Sequence, residues 1–584
     1  MRYLIKALLA SSVLAVGACV ATPNEPSLTG EYLSGRLAVK KNAIADAAKA
    51  FADVYADVPG EDTILRSAFF YQLAAGEIEA AGPLAEAILL NEGEGDDGLA
   101  RVALGAIALK KNDIAGARRH FEGNFETPFL KSAAFLANVW IEDDLEGSEA
   151  AIAKLDAASG DIFRGFNPLH KALLSEKAGN FADARTAHQV SFFGFGGPVG
   201  RAAYGAFLER VADGSDAREY YNLLRREPGS TRRLADAGLA RLDAGRTSKK
   251  YMAVSAQQGA AIGFYSFGAA ILEQAAGERA RAEEAGFNVG EPRFNLPLAL
   301  SQLAIYLDPT LFDAHNLVGQ IFSVYGDFDA AAESLSAIPS SSPLFEQSRI
   351  FIAGGVASRG DTDMAVAMLK DTVRRDPLAQ EARFSLANLY ATQENHRAAV
   401  AEVTMLIDEL GSDAEDDAWR YYVTRGGSYI ALEKWEKAEA DLKKSVELAP
   451  EEATALNYLG YSWAERGENL EEAFELIEKA VELQPNSGAI IDSLGWAHYQ
   501  LGNYNEAVGH LEQAASIEPS DPTITDHLGD VYWQLGREIE ARYQWRRVLE
   551  LETPDKLREL VEQKLAEGLG DQNNGSDGAR SSDD

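Results

Sequence analysis

Seven small residues recur at nearly fixed distance through the second half of this chain. They are Gly319, Ala353, Ala387, Gly426, Gly460, Gly495 and Gly529, at spacings of 34, 34, 39, 34, 35 and 34 residues. The last three follow directly on Leu459, Leu494 and Leu528, and an alanine comes twelve or thirteen residues later, at Ala473, Ala507 and Ala541. A period of this length marks stacked supersecondary units, each too small to bury its apolar faces alone. It constrains the fold more than any local motif and is read first.

The stretch Ser487 to Ser520 shows what one unit contains. Ile491, Leu494 and His498 fall on one helical stripe, with Gly495 where a neighbouring helix must come close. Leu501-Gly502-Asn503 interrupts the helix. Ala507, Leu511 and Ala514 then recur at helical spacing until Pro519, which has no N–H with which to continue. The expected fold class is therefore all-α, built of antiparallel helix pairs.

These residues resemble the tetratricopeptide-repeat family. Its unit has a leucine–glycine pair, an aromatic three residues on, then an alanine, a large residue four further and a closing proline. Ile491, Leu494, Gly495, Ala507, Leu511, Ala514 and Pro519 fit that pattern, His498 fills an aromatic slot, and three more copies close at Pro377, Pro450 and Pro485. The resemblance implies a superhelical solenoid. The first half carries the register more weakly, in Gly35, Ala47, Phe51 and Pro59, in Gly105, Ala117 and Phe121, and in Gly205, Ala217 and Tyr221. The expected organisation is an N-terminal degenerate repeat arm over 30–228, irregular helical repeats over 229–312 with an insertion at Gly286 to Asn295, and a C-terminal repeat array over 313–554. The middle stretch reads as a boundary between two arms.

Leu557, Leu560, Val561 and Leu565 place an apolar stripe on 555–569, as a capping helix needs, whereas 570–584 lacks large apolar residues and reads as a disordered acidic tail. A chain of 584 residues exceeds one compact core, but a solenoid has no such limit because each repeat meets only its neighbours. The formal charge of −35 speaks for solubility, and against nucleic acid or anionic lipid headgroups as partners.

Arg2 and Lys6 precede the uncharged run Ala7 to Val16, too short to span a bilayer, so 1–18 reads as a signal peptide. It ends in Val16-Gly17-Ala18-Cys19, which resembles the lipobox of bacterial lipoproteins. That resemblance implies diacylglyceryl transfer to the Cys19 thiol, acylation of its freed amine, and a short tether over 19–29. Cys19 is the single cysteine of the chain, so no disulfide within it can form. By the usual sorting pattern of that class, Val20 in place of aspartate implies the outer membrane. Tyr251 to Leu272 carries no charge, but its serines, glutamines and glycines suit buried repeat helices better than a membrane span.

Little points to chemistry. The eight histidines are scattered, none in a zinc spacing. Phe192 to Gly200 matches neither a P-loop nor a dinucleotide fingerprint. Glu92, Glu94, Asp96 and Asp97 crowd a loop without an EF-hand register. No catalytic residue, metal or cofactor is expected.

In the tetratricopeptide fold the inner helices line a concave groove. Carrying its slots over assigns Tyr390, Tyr429, Trp463, Tyr532 and Trp545 to the core. Tyr461 and Trp496, one residue after their anchors, and Tyr499 and Trp533, four after, should face the groove with Asn457, Asp492, Asp526 and Asp530. Rings beside carboxylates suit a partner segment with apolar and basic side chains. Over about 454–550 the runs Leu459-Gly460-Tyr461, Asp492-Ser493-Leu494-Gly495-Trp496 and Asp526-His527-Leu528-Gly529-Asp530 resemble large tetratricopeptide lipoproteins of Gram-negative bacteria. One type of these is an outer-membrane adaptor for a periplasmic carboxyl-terminal-processing protease. The resemblance implies a non-catalytic scaffold, lipid-anchored in the outer membrane and facing the periplasm, that holds a protease or peptidoglycan enzyme. The rival reading is a periplasmic holdase or assembly factor for envelope proteins.

Overall fold

In a computed structural model of the chain, residues 28–569 are described apart from 92–96, 159–160, 193–196, 212–213, 228, 249–252, 285–293, 378, 411–417 and 552. The expected signal peptide, Cys19, nearly all of the expected tether, most of the Gly286–Asn295 insertion and the stretch expected to be an acidic tail lie outside the described residues. Every regular element among those described is a helix, and successive helices pair antiparallel as in a repeat solenoid.

The periodic small residues make the pairing close. A Cβ on Gly495 would lie 2.7 Å from the Leu511 side chain, on Gly460 2.7 Å from Ile477, and on Gly529 2.5 Å from Trp545. Each contact joins the inner helix of a repeat to its own outer helix. The same contact recurs in the weak first-half register, where Gly105 faces Phe121 at 2.4 Å and Gly205 faces Tyr221 at 2.5 Å. In the type unit the helices are Gly488–Gln500 and Tyr504–Ile517. Gly502 turns between them with φ of +79°, a left-handed conformation that a side chain disfavours. Cations on outer helices stitch the repeat junctions: Lys479 Nζ donates to the Pro450 carbonyl at 2.9 Å and Arg547 to that of Pro519 at 2.6 Å.

Two compact units divide the chain between Gly355 and Val356. The stretch 229–312, expected to separate two arms, lies wholly inside the first unit instead. The reason is its long central helix, Ala256–Glu284, which does not stack as the next repeat. It packs across the inner helices Gly98–Lys110, Pro128–Glu146 and Asp161–Lys177. Gly259 sits so near the Trp140 indole that a Cβ would approach it to 2.0 Å, and the Phe267 ring lies 4.1 Å from that of Phe166. Gln257 Nε2 donates to the Leu109 carbonyl at 3.1 Å, and the backbone N–H of Ala256 donates to Asp144 at 2.9 Å.

Helix Asn295–Leu307 continues this filling against Asp62–Ala74 and Gly98–Lys110. Gln302 Nε2 donates to the Ala74 carbonyl at 3.2 Å, Lys110 Nζ to that of Leu307 at 3.2 Å, and the Tyr306 hydroxyl to Glu79. Ala260, Ala261, Phe264, Phe267, Leu298 and Leu300 are buried. Over its helical part, from Ala256, the uncharged run of Tyr251 to Leu272 is thus explained by burial on several sides. No helix among the described residues is long and apolar enough to cross a membrane.

Candidate protein-binding groove

In the second unit the inner helices Gln380–Thr392, Trp419–Ala431 and Ala453–Arg466 stand side by side and leave a cavity of about 780 Å³ open to solvent. Its shape follows from what occupies the slot one residue after each anchor. That slot holds Asn388, then Gly427, then Tyr461. The middle one has no side chain, and a Cβ there would find its nearest neighbour, the Tyr458 ring, at an ordinary 3.8 Å. The void over Gly427 is walled by Ala391, Val423, Tyr458 and Tyr461, with Ile430 and Trp435 at its mouth. Tyr458 and Ile430, on neighbouring helices of one cavity, remain 44% and 41% exposed.

Polar side chains line the cavity as well, among them Asn388, Thr392, Thr424 and Ser462. Ser428 lines the cavity, is buried, and its hydroxyl meets no partner among the described residues. His396 Nδ1 is likewise without one. The carboxylates of Glu433 and Glu465 stand exposed at the rim. Arg466 is engaged already: its guanidinium lies 4.4 Å from the centre of the Trp435 ring and donates to Glu468 at 2.8 Å.

Of the eight residues singled out from the sequence, only Tyr461 lines this cavity. Asn457 is half-buried with its Oδ1 unpartnered. The other six gather at the C-terminal end and are closed over. Trp496 and Tyr499 are buried and stack on each other at 4.6 Å, with His527 against the other face of Trp496 at 4.0 Å. Trp533 packs on Trp545 at 5.4 Å and is covered by Gly568 and by the Arg542 guanidinium. These rings therefore pack within their own repeats, on the next one or on the terminal segment rather than standing open.

The carboxylates are closed by the terminal helix Asp555–Glu567, which lies where the inner helix of a further repeat would come. Its Lys564 reaches back to donate to Asp526 and Asp530, each at 2.7 Å, with all three side chains buried. Asp530 also accepts from Trp545 Nε1 at 2.9 Å, and His527 Nδ1 lies 3.0 Å from both oxygens of Asp492. Burial, joined by the neighbouring Asp526 charge, pushes the Asp530 carboxyl up to about 6 even with Lys564 beside it. Burial opposes a charged ring at His527, but Asp492, Asp526 and Asp530 outweigh it and raise the imidazole above its ordinary range. Expected core aromatics Tyr390, Trp463, Tyr532 and Trp545 are buried, while Tyr429 is half-buried.

Gly427, Ser428, Ile430, Glu433, Trp435 and Tyr458 escaped notice in the sequence. The signal was an absence: a glycine directly after the Gly426 anchor, where neighbouring repeats place a side chain.

Residues 357–414 and 423–488 match a family model described as tetratricopeptide repeat, and 495–536 match one described as TPR repeat. The second unit is a tetratricopeptide-repeat array. Over 69 residues the chain is 45% identical to the TPR repeat-containing protein PA4667 of Pseudomonas aeruginosa, a stretch that spans 12% of each chain. Among solved structures, similar ones include a tetratricopeptide repeat protein from Parabacteroides merdae, 16% identical over 44% of this chain and 97% of that one with a TM-score of 0.36. Another is the APC/C hetero-tetramer Cut9–Hcn1, 15% identical over 92% of this chain and 96% of that one with a TM-score of 0.37. Tetratricopeptide arrays serve as protein-interaction scaffolds, and the open inner face of this one is suited to that use.

Proposed function

We propose that this chain is a non-catalytic adaptor, held at the outer membrane by acyl chains on Cys19 and facing the periplasm, whose tetratricopeptide array captures a protein partner. The observation that carries the reading is the open cavity over Gly427, which exposed apolar and aromatic side chains line. Water-exposed apolar surface of that kind is costly to keep and is found where something binds. A protease or a peptidoglycan enzyme is the partner class favoured by the resemblance of 454–550 to envelope adaptors. The lipobox-like Val16-Gly17-Ala18-Cys19 supports the anchor, since two or more acyl chains hold a protein stably to a bilayer.

The test is affinity purification of the full-length protein from membranes, with mass spectrometry, against a Cys19→Ala control. The adaptor reading predicts one stoichiometric envelope partner that leaves with salt, and loss of membrane retention in the control. A broad set of weakly held clients would favour a holdase. Recovery of no envelope protein above the control would contradict both.

A further inference from the structure

We propose that the groove over Gly427 reads an extended peptide segment in which large apolar side chains are flanked by lysine or arginine. The inference rests on the scaffold reading and adds the chemistry of what the array selects. A cavity of about 780 Å³ admits more than one large side chain and lies within the range of formed ligand sites. Val423, Tyr458 and Tyr461 supply apolar and aromatic walls for them.

The rim sets the sign of the flanking charge. Glu433 and Glu465 face solvent beside aromatic rings, an arrangement that attracts a cation by charge and by the ring quadrupole. Arg466 does not offset them, because Glu468 and Trp435 already hold it. Glu433 also occupies an improbable backbone position. After the seven second-half anchors the helix turn carries a left-handed residue seven places on, and five of these turns hold glycine: Gly326, Gly360, Gly467, Gly502 and Gly536. Glu394 and Glu433 are the other two, with φ of +57° each, and they follow the two inner helices that meet over Gly427. A glutamate standing where glycine fits better points to a use for its side chain.

Fluorescence anisotropy with the full-length protein tests this, using a labelled peptide of alternating leucine and lysine and its leucine–glutamate counterpart. The lysine peptide should bind at least about tenfold more tightly, and Gly427→Leu, which intrudes on the void, should weaken it by a similar factor. Glu433→Gly should weaken binding while raising the melting temperature, a pairing that a merely structural glutamate would not give. If Gly427→Leu fails to fold, Tyr458→Ala at the exposed wall replaces it with the same expectation. Equal binding of the two peptides, or lysine-peptide binding indifferent to both Gly427→Leu and Tyr458→Ala, overturns the inference. In that case undiminished recovery of a membrane partner by Gly427→Leu leaves the adaptor reading standing, whereas failure of the wild type to recover any partner removes the adaptor reading itself.

Discussion

The inner helices of the two units are put to opposite uses. In the first unit those from Asp62–Ala74 to Asp161–Lys177 are covered by the chain's own Ala256–Glu284 and Asn295–Leu307, with Gly259 seated on Trp140 and Gln302 bonded to the Ala74 carbonyl. In the second unit the equivalent face is open over Gly427 and closes only near its end, where Lys564 enters between Asp526 and Asp530. A face that is filled from within is core and tolerates little change. A face that is open carries residues whose loss costs the fold little, so their retention speaks of binding. The contrast assigns opposite mutational behaviour to positions that share a slot in the repeat.

The largest effect is expected where the filling is tightest. Gly259→Val places a Cβ within 2.0 Å of a fully buried indole, and should lower stability by about 3 kcal/mol or more in urea titration. An unchanged midpoint would mean the long helix is not seated on the inner face. Next is Lys564→Met, which leaves Asp526 and Asp530 facing each other without their cation. Breaking a buried ion pair costs about 3–5 kcal/mol, and about 2–3 kcal/mol is expected here because Asp530 can take up a proton in response. Hydrogen exchange of the terminal helix would read the loss locally.

A smaller effect comes from pH, and both titrating groups give it the same sign. The folded-state pKa of Asp530, about 6, lies above its ordinary 3.8, so the folded state binds the proton more tightly. Stability from that group rises as pH falls through 6 toward 4. The raised His527 contributes stability fully below its ordinary 6.5, which is lost as pH rises through the folded value. With Asp492, Asp526 and Lys564 as the charges that face them, the terminal helix should gain exchange protection as pH falls from 8 to about 5.5. Loss of protection over that window would mean that the cluster is held in another charge arrangement. The smallest effect belongs to the open face: Ile430→Ser and Tyr458→Ala should move the urea midpoint by no more than about 0.5 kcal/mol equivalent.

The helix pairs were legible because a period leaves a mark at every repeat, and a glycine such as Gly495 or Gly105 has one evident reason to sit opposite a large side chain. The fate of the inner face was not, because it depends on contacts far apart in sequence. Ala256–Glu284 reads as another degenerate repeat until its partners, more than a hundred residues upstream, are known. Trp496, Tyr499 and Trp533 occupy groove slots as their spacing implies, yet whether a ring in such a slot is open depends on its neighbours. Gly568 and Arg542 cover Trp533, and His527 completes the stack on Trp496. Gly427 carried the opposite message, since a missing side chain draws no attention in a search for conspicuous residues.

The claim that the second unit binds and the first is self-filled meets its most direct test in hydrogen exchange of the full-length protein, alone and with the captured envelope partner. The account predicts new protection in Gln380–Thr392, Trp419–Ala431 and Ala453–Arg466, and none in Ala256–Glu284 or Asn295–Leu307. Protection confined to those last two helices, with the three inner helices of the array unchanged, would contradict it.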